Sequence, residues 1–193
     1  MIREVVKYGH PVRRQKGEQI GAITPSIRAL VEDLLETMYS ARGIGLAAQQ
    51  IGLPLQITVV DVRGLERPST LEIHGKPADI AAFMPLVLIN PQLKTFGQRI
   101  SDTEGCLSFP EIFIEIERPE TIEVIALDDK GQRIEFRCGG FLARAIQHEV
   151  DHLNGVLFID RMDSQTKAEL KPMLSKLQSG TKQRLRKVDT PVV

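Results

Sequence analysis

The chain has 193 residues, 42% apolar and 26% charged, the profile of an ordinary globular protein with enough length for one core. Its 25 Lys plus Arg balance 25 Asp plus Glu, and zero formal net charge excludes a protein built mainly to hold nucleic acid, though not a local basic patch. No apolar run approaches the roughly 20 residues of a membrane span. The opening Met1-Ile2-Arg3-Glu4-Val5 has neither a signal-peptide core nor a transit-peptide composition, and the two cysteines, Cys106 and Cys138, are expected to be free thiols or ligands in a reducing cytoplasm.

The first helix follows Thr24-Pro25, where threonine can cap and proline suits the first helical position. Ile27, Leu30, Val31, Leu34, Leu35 and Met38 then form one apolar face. Gly43 is expected to end the helix, with Arg42 set against its C-terminal dipole. Gln56 to Asp61 reads as a strand. Arg63 to Pro85 is polar and broken by prolines, so a long loop or insertion is expected there.

Leu86 to Asn90 resumes as a buried strand. Ile112, Ile114 and Ile116 alternate with Phe113, Glu115 and Glu117, the period of a half-buried strand. Thr121 to Leu127 and Arg133 to Arg137 form a predicted hairpin around the turn Asp128-Asp129-Lys130-Gly131. A second helix spans about Gly140 to Leu153 and stops at Asn154-Gly155. A third starts near Asp163-Ser164, with Pro172 expected to kink or interrupt it. The basic tail, 180–193, is expected to be frayed. The predicted architecture is α+β: mostly antiparallel β-sheets packed around a central helix, with an N-terminal and a C-terminal helix, in a single domain over 1–193.

His148-Glu149-Val150-Asp151-His152 lies on the second helix. Residues four apart share a helix face, so both imidazoles can reach one ion, while Glu149 can touch a water on that ion as general acid/base. Phe141, Leu142, Ala145, Ile146, Val150 and Leu153 make the rest of the helix apolar, so the histidines are expected to be buried and to want a charge partner. Cys106, in Glu104-Gly105-Cys106-Leu107-Ser108, is the best candidate for a third ligand. Cys138 has no polar signature and reads as a small buried apolar residue. Two neutral imidazoles and one thiolate leave a divalent ion with net charge +1, and a soft sulfur ligand permits iron(II), cobalt, nickel or zinc.

Three segments in order, Gly43-Ile44-Gly45-Leu46-Ala47-Ala48-Gln49-Gln50, Glu104 to Ser108, and Gln147 to Gly155, resemble peptide deformylase. The likeness runs from about Val6 to Arg161. It implies removal of the N-formyl group from N-formyl-methionyl nascent peptides, with release of formate. It implies Cys106, His148 and His152 as ligands of one Fe2+, for which Zn2+, Ni2+ or Co2+ can substitute. Glu149 would be the acid/base, Gln50 and the backbone N–H of Leu107 the oxyanion hole, and Gly45 and Ile44 contacts to the substrate. Glu104 is expected to orient a ligating histidine. Asp151 is expected to pair with Arg144 or Arg161.

The alternation after Ser108 reads as core, one side of which could line a pocket for the methionine side chain. The segment 63–85 is longer than compact family members need and could cover one edge of the site or join subunits. Pro110-Glu111 departs from the glycine that many members place after the proline. The basic tail could dock on ribosomal RNA, as in some bacterial members, although a solvated tail is the plainer reading. The alternative, a metallopeptidase of the His-Glu-x-x-His type, needs a third ligand downstream. No histidine follows His152, and Glu169 is the only later glutamate.

Overall fold

The computed structural model describes residues 1–188. Helix α1 (Pro25–Ser40) starts where predicted: the Thr24 hydroxyl accepts a hydrogen bond from the Ile27 N–H. It ends three residues earlier than the glycine suggested. Arg42 itself takes the left-handed conformation, with φ +54°, and the Gly43 N–H closes onto the Met38 carbonyl. Gly43 is glycine for another reason: a Cβ there would lie 2.8 Å from the Leu107 side chain.

Strands β1 (Gly45–Ala47), β2 (Ile57–Val60), β3 (Ser69–Ile73), β4 (Lys76–Pro77), β5 (Leu86–Cys106), β6 (Phe109–Leu127) and β7 (Arg133–Gly139) form one antiparallel sheet, with α2 (Ile80–Phe83) between β4 and β5. Its order is β1-β2-β5-β6-β7-β3-β4. The long β5 and β6 replace shorter predicted strands. They run through Pro91, Pro110 and Pro119 by shifting register between Ile89 and Gln92, Phe96 and Arg99, and Gly105 and Cys106. Such bulges absorb residues that cannot join a regular ladder. The predicted loop at 63–85 contains β3, β4 and α2 instead. Leu71 of β3 is buried there, so one apolar side chain and pairing to β7 suffice to make a strand, which β4 then flanks as the sheet edge.

Helix α3 (Gly140–Leu153) matches its predicted span and is buried from Leu142 to Leu153. Leu142, Ile146, Val150 and Leu153 pack on the sheet beside Val60, Leu88, Ile122 and Val124. Helix α1 covers a second cluster through Leu34 and Met38 against Leu46, Ile57 and Ile89. Helix α4 (Ser164–Val188) runs through Pro172 without the interruption that was one of its two expected effects, and it is helical across 182–188, where fraying was expected. Its Leu170, Leu174 and Leu177 seat on Ile112, Ile114 and Ile116, and this apolar stripe stabilises the helix despite the missing Pro172 N–H. The tail residues 189–193 lie outside the described residues. No helix among the described residues is long and apolar enough to cross a membrane.

Within β6, Glu111 takes the left-handed conformation, with φ +61°. The left-handed region costs a non-glycine residue about 1–2 kcal/mol, against the extra unfolded-state entropy a glycine brings. Glu111→Gly is expected to stabilise the fold by a net ~0.5–1 kcal/mol, read as a higher urea midpoint at unchanged slope; a lower midpoint would show that the bend is held by the Glu111 side chain.

Candidate metal centre

The β5–β6 turn holds Cys106, with Leu107 and Ser108 at its tip and Cys106 paired to Phe109. Helix α3 brings His148 and His152 to the same point. Ligand atoms of Cys106, His148 and His152 all lie within 4.8 Å of one another, and the Cys106 Sγ is 3.3 Å from the His152 Nε2. One thiol and two imidazoles at this spacing fit a tetrahedral or open site for a first-row divalent ion. Cys138, 1% exposed and pushed up to about 12 by burial, is the inert thiol its sequence suggested.

The histidines are oriented from behind. The Glu104 Oε2 is 2.9 Å from the His148 Nδ1, which leaves the His148 Nε2 for an ion. Arg118 donates to Glu104 through Nε at 2.5 Å and Nη2 at 2.8 Å, and Arg144 Nη1 donates to it at 2.7 Å. Burial opposes ionisation of Glu104, but the hydrogen bonds from Arg118 and His148 hold its carboxyl well below the usual range. Arg118 also reaches Asp151 at 2.8 Å, which Arg161 closes from the outside. Asp151 thus pairs with Arg161, one of its two expected partners, and with Arg118, which the sequence reading missed. A signal existed: the parity of Ile112, Ile114 and Ile116 puts residue 118 on the inward face.

Burial disfavours charge on both histidines, with opposite outcomes. Hydrogen bonds to Cys106 and Glu104 outweigh burial at His148 and push it up to about 10. Burial, Arg13 and His148 together hold His152 well below its ordinary range. An imidazole must be neutral at the nitrogen that holds an ion. Arg13 is 1% exposed, with its Nη2 3.2 Å from the His152 Nδ1, and it has no counterpart in the sequence reading. Nothing in the spacing around Arg13 announces it.

Glu149 is buried, and desolvation pushes its carboxyl up to about 7. Its Oε2 has no hydrogen-bond partner. A buried oxygen of this kind, on a residue lining the same cavity as Cys106 and His148, is the feature a water held at the centre would satisfy. Gly45 makes room for this carboxylate, because a Cβ there would meet the Glu149 Oε1 at 2.5 Å. The Gln50 Oε1 accepts from the Ala47 N–H at 2.8 Å, which turns its Nε2 towards the Cys106 Sγ at 3.8 Å. A cavity of about 590 Å³ opens over these groups, lined in part by Ile44, Gly45, Leu107, Ile112, Phe113 and Phe141. The Arg67 guanidinium of the 63–85 segment lies 4.7 Å from the Phe141 ring centre. His74 is exposed and His10 caps a short 3-10 turn, so neither joins the centre. Glu169 is exposed on α4 and bonded to Gln165.

Residues 2–168 match the family model described as polypeptide deformylase. A peptide deformylase of Methylacidiphilum infernorum is 45% identical over 180 residues, covering 93% of this chain and 95% of the relative. One of Opitutus terrae is 46% identical over 174 residues, covering 88% and 90%. Among solved structures, a Synechococcus elongatus peptide deformylase in complex with actinonin superposes with TM-score 0.76 at 39% identity, covering 91% of this chain and 85% of that one. A plant peptide deformylase gives TM-score 0.80 at 33% identity, covering 94% and 92%.

The Glu104–Arg118–Asp151 network generates a stability prediction. Arg118→Met leaves two buried carboxylates short of a cation and is expected to cost about 3–5 kcal/mol in urea unfolding. A loss under about 1 kcal/mol would mean that Arg144 and Arg161 alone neutralise the pair.

Proposed function

The chain belongs to the polypeptide deformylase family, metalloenzymes that remove the N-formyl group from nascent peptides, and we propose that Glu149, Gln50 and Leu107 perform that hydrolysis beside an Fe2+ ion held by Cys106, His148 and His152. The observation that carries this reading is the unpartnered, buried oxygen of Glu149, which lines the same cavity as Cys106 and His148 of the converging ligand set. Zn2+, Ni2+ or Co2+ fits the same donor set. When bound, the ion supplies the Lewis acidity that makes water reactive near neutral pH.

The protein's own groups do the rest. Glu149 takes a proton from the attacking water and later delivers one to the leaving amine, so formate departs from a neutral N-terminus. As the formyl carbon becomes tetrahedral its oxygen gains negative charge. The Gln50 amide and the Leu107 N–H donate to that oxygen, and Gln50 does so without adding charge of its own. The Ala47 N–H supports this role, because it fixes which end of the Gln50 amide faces the centre. Gly45 and Ile44 border the cavity where a peptide backbone would lie, opposite the apolar Ile112 and Phe113 that suit a methionine side chain. The exposed Lys182, Arg184 and Lys187 on α4 suit contact with phosphate-rich ribosomal RNA, a reading that salt-dependent co-sedimentation with ribosomes tests.

Anaerobic purification, metal analysis and an assay on formyl-Met-Ala-Ser test the central reading. Formate release that a chelator abolishes and Fe2+ restores is expected, and cleavage of the Met–Ala bond would instead identify a peptidase. Gln50→Leu is expected to lower kcat by roughly 100- to 1,000-fold with metal retained; wild-type turnover would remove Gln50 from the mechanism. Gly45→Ala displaces the Glu149 carboxylate and is expected to lower kcat about 100-fold, the effect of an ångström-scale misplacement; wild-type kcat would show that the carboxylate tolerates the shift.

A further inference from the structure

The two oxyanion donors proposed above sit on different parts of the fold. Gln50 belongs to the 3-10 turn Ala48–Ile51 that follows β1, and Leu107 to the tip of the β5–β6 hairpin. One short segment touches both. The Val6 N–H donates to the Gln50 carbonyl at 2.8 Å, and the Tyr8 N–H donates to the Ser108 carbonyl at 3.0 Å. Between them, the Lys7 Nζ donates to the Leu107 carbonyl at 2.9 Å. The Tyr8 ring stacks on Phe109 with centroids 4.9 Å apart.

From this geometry we infer that Lys7 is a positioning residue for the deformylation reaction: its ammonium holds the Leu107–Ser108 peptide so that the preceding Leu107 N–H keeps its aim at the oxyanion. This rests on the oxyanion reading given above. A two-residue hairpin tip has few constraints of its own, since only Cys106 and Phe109 pair across it. The Leu107 N–H direction depends on the torsions on either side. Cys106 is held by strand pairing on one side, and Lys7 holds the next peptide on the other. Tyr8 holds the one after that. A lysine suits the task because its donor is charged, and a charge-assisted hydrogen bond to a carbonyl is shorter and stronger than a neutral one. Lys7 is half-buried and borders the cavity, so this bond is partly shielded from water.

Lys7→Met keeps the stem and removes the donor. With metal-loaded protein and formyl-Met-Ala-Ser, kcat is expected to fall roughly 10-fold, a fraction of what losing a whole oxyanion donor costs, with KM within about twofold. Lys7→Arg, which keeps a charged donor, is expected to recover most of that loss. Hydrogen exchange of a peptide covering 104–109 is expected to quicken in Lys7→Met while the thermal midpoint stays close to wild type. Unchanged kcat, or a change confined to KM, overturns the inference. So does unchanged exchange across the turn, a readout that holds even if the wild-type protein fails to release formate, in which case the functional reading and not the clamp is at fault.

Discussion

The buried carboxylate of Glu104 is the interaction on which the centre depends. Four side chains from two elements converge on it or its partner: Arg118 from β6, and Arg144, His148 and, through Arg118, Asp151 from α3. A carboxylate this deep is tolerable only while it is fully paired. The pairing therefore ties the helix to the sheet at one height and one rotation. The same bond fixes the ring of His148, so the electrostatic need of a buried acid and the geometric need of a metal ligand are met by a single contact.

Close packing sets the second constraint. Glu149 lies so near the β1 backbone that a Cβ at position 45 would have to displace its carboxylate, and Leu107 lies so near the end of α1 that a Cβ at 43 would have to push its side chain aside. These contacts bring Glu149, the hairpin tip and the Gln50 turn to the border of one cavity. The sulfur of Cys106 then has Gln50 on one side and His152 on the other. Charge is graded across this volume. Glu104 is held ionised, His152 neutral, and Glu149 near the point where it can exchange a proton. Groups whose environments push their proton affinities apart can divide the work of one reaction.

Helix α4 shows how tertiary packing overrides a local signal. Pro172 and a run of basic residues argue for interruption and fraying. The stripe Leu170, Leu174 and Leu177 finds the isoleucines of β6, and that burial keeps the helix whole. The strands tell the same story from the other side. Pro91, Pro110 and Pro119 look like strand ends, but register shifts let β5 and β6 carry through them.

The sequence by itself determined the metal helix, its limits at Gly140 and Leu153, and the pair His148 and His152 on one face, because a helix of 3.6 residues per turn places side chains by counting alone. The parity of Ile112, Ile114 and Ile116 was legible for the same reason, since a strand alternates by two. The ordered motifs around Gln50, Cys106 and His148 also marked the family before any coordinates. Tertiary structure alone decided what long-range contacts decide: that Glu104 is surrounded by Arg118, Arg144 and His148, that Arg13 lies against His152, that Lys7 reaches a carbonyl 100 residues away, and that the 63–85 segment adds strands to the sheet edge. None of these has a period or a fixed spacing. Each follows from which buried charge must be paired and which peptide group must be held once the sheet has closed over its helix.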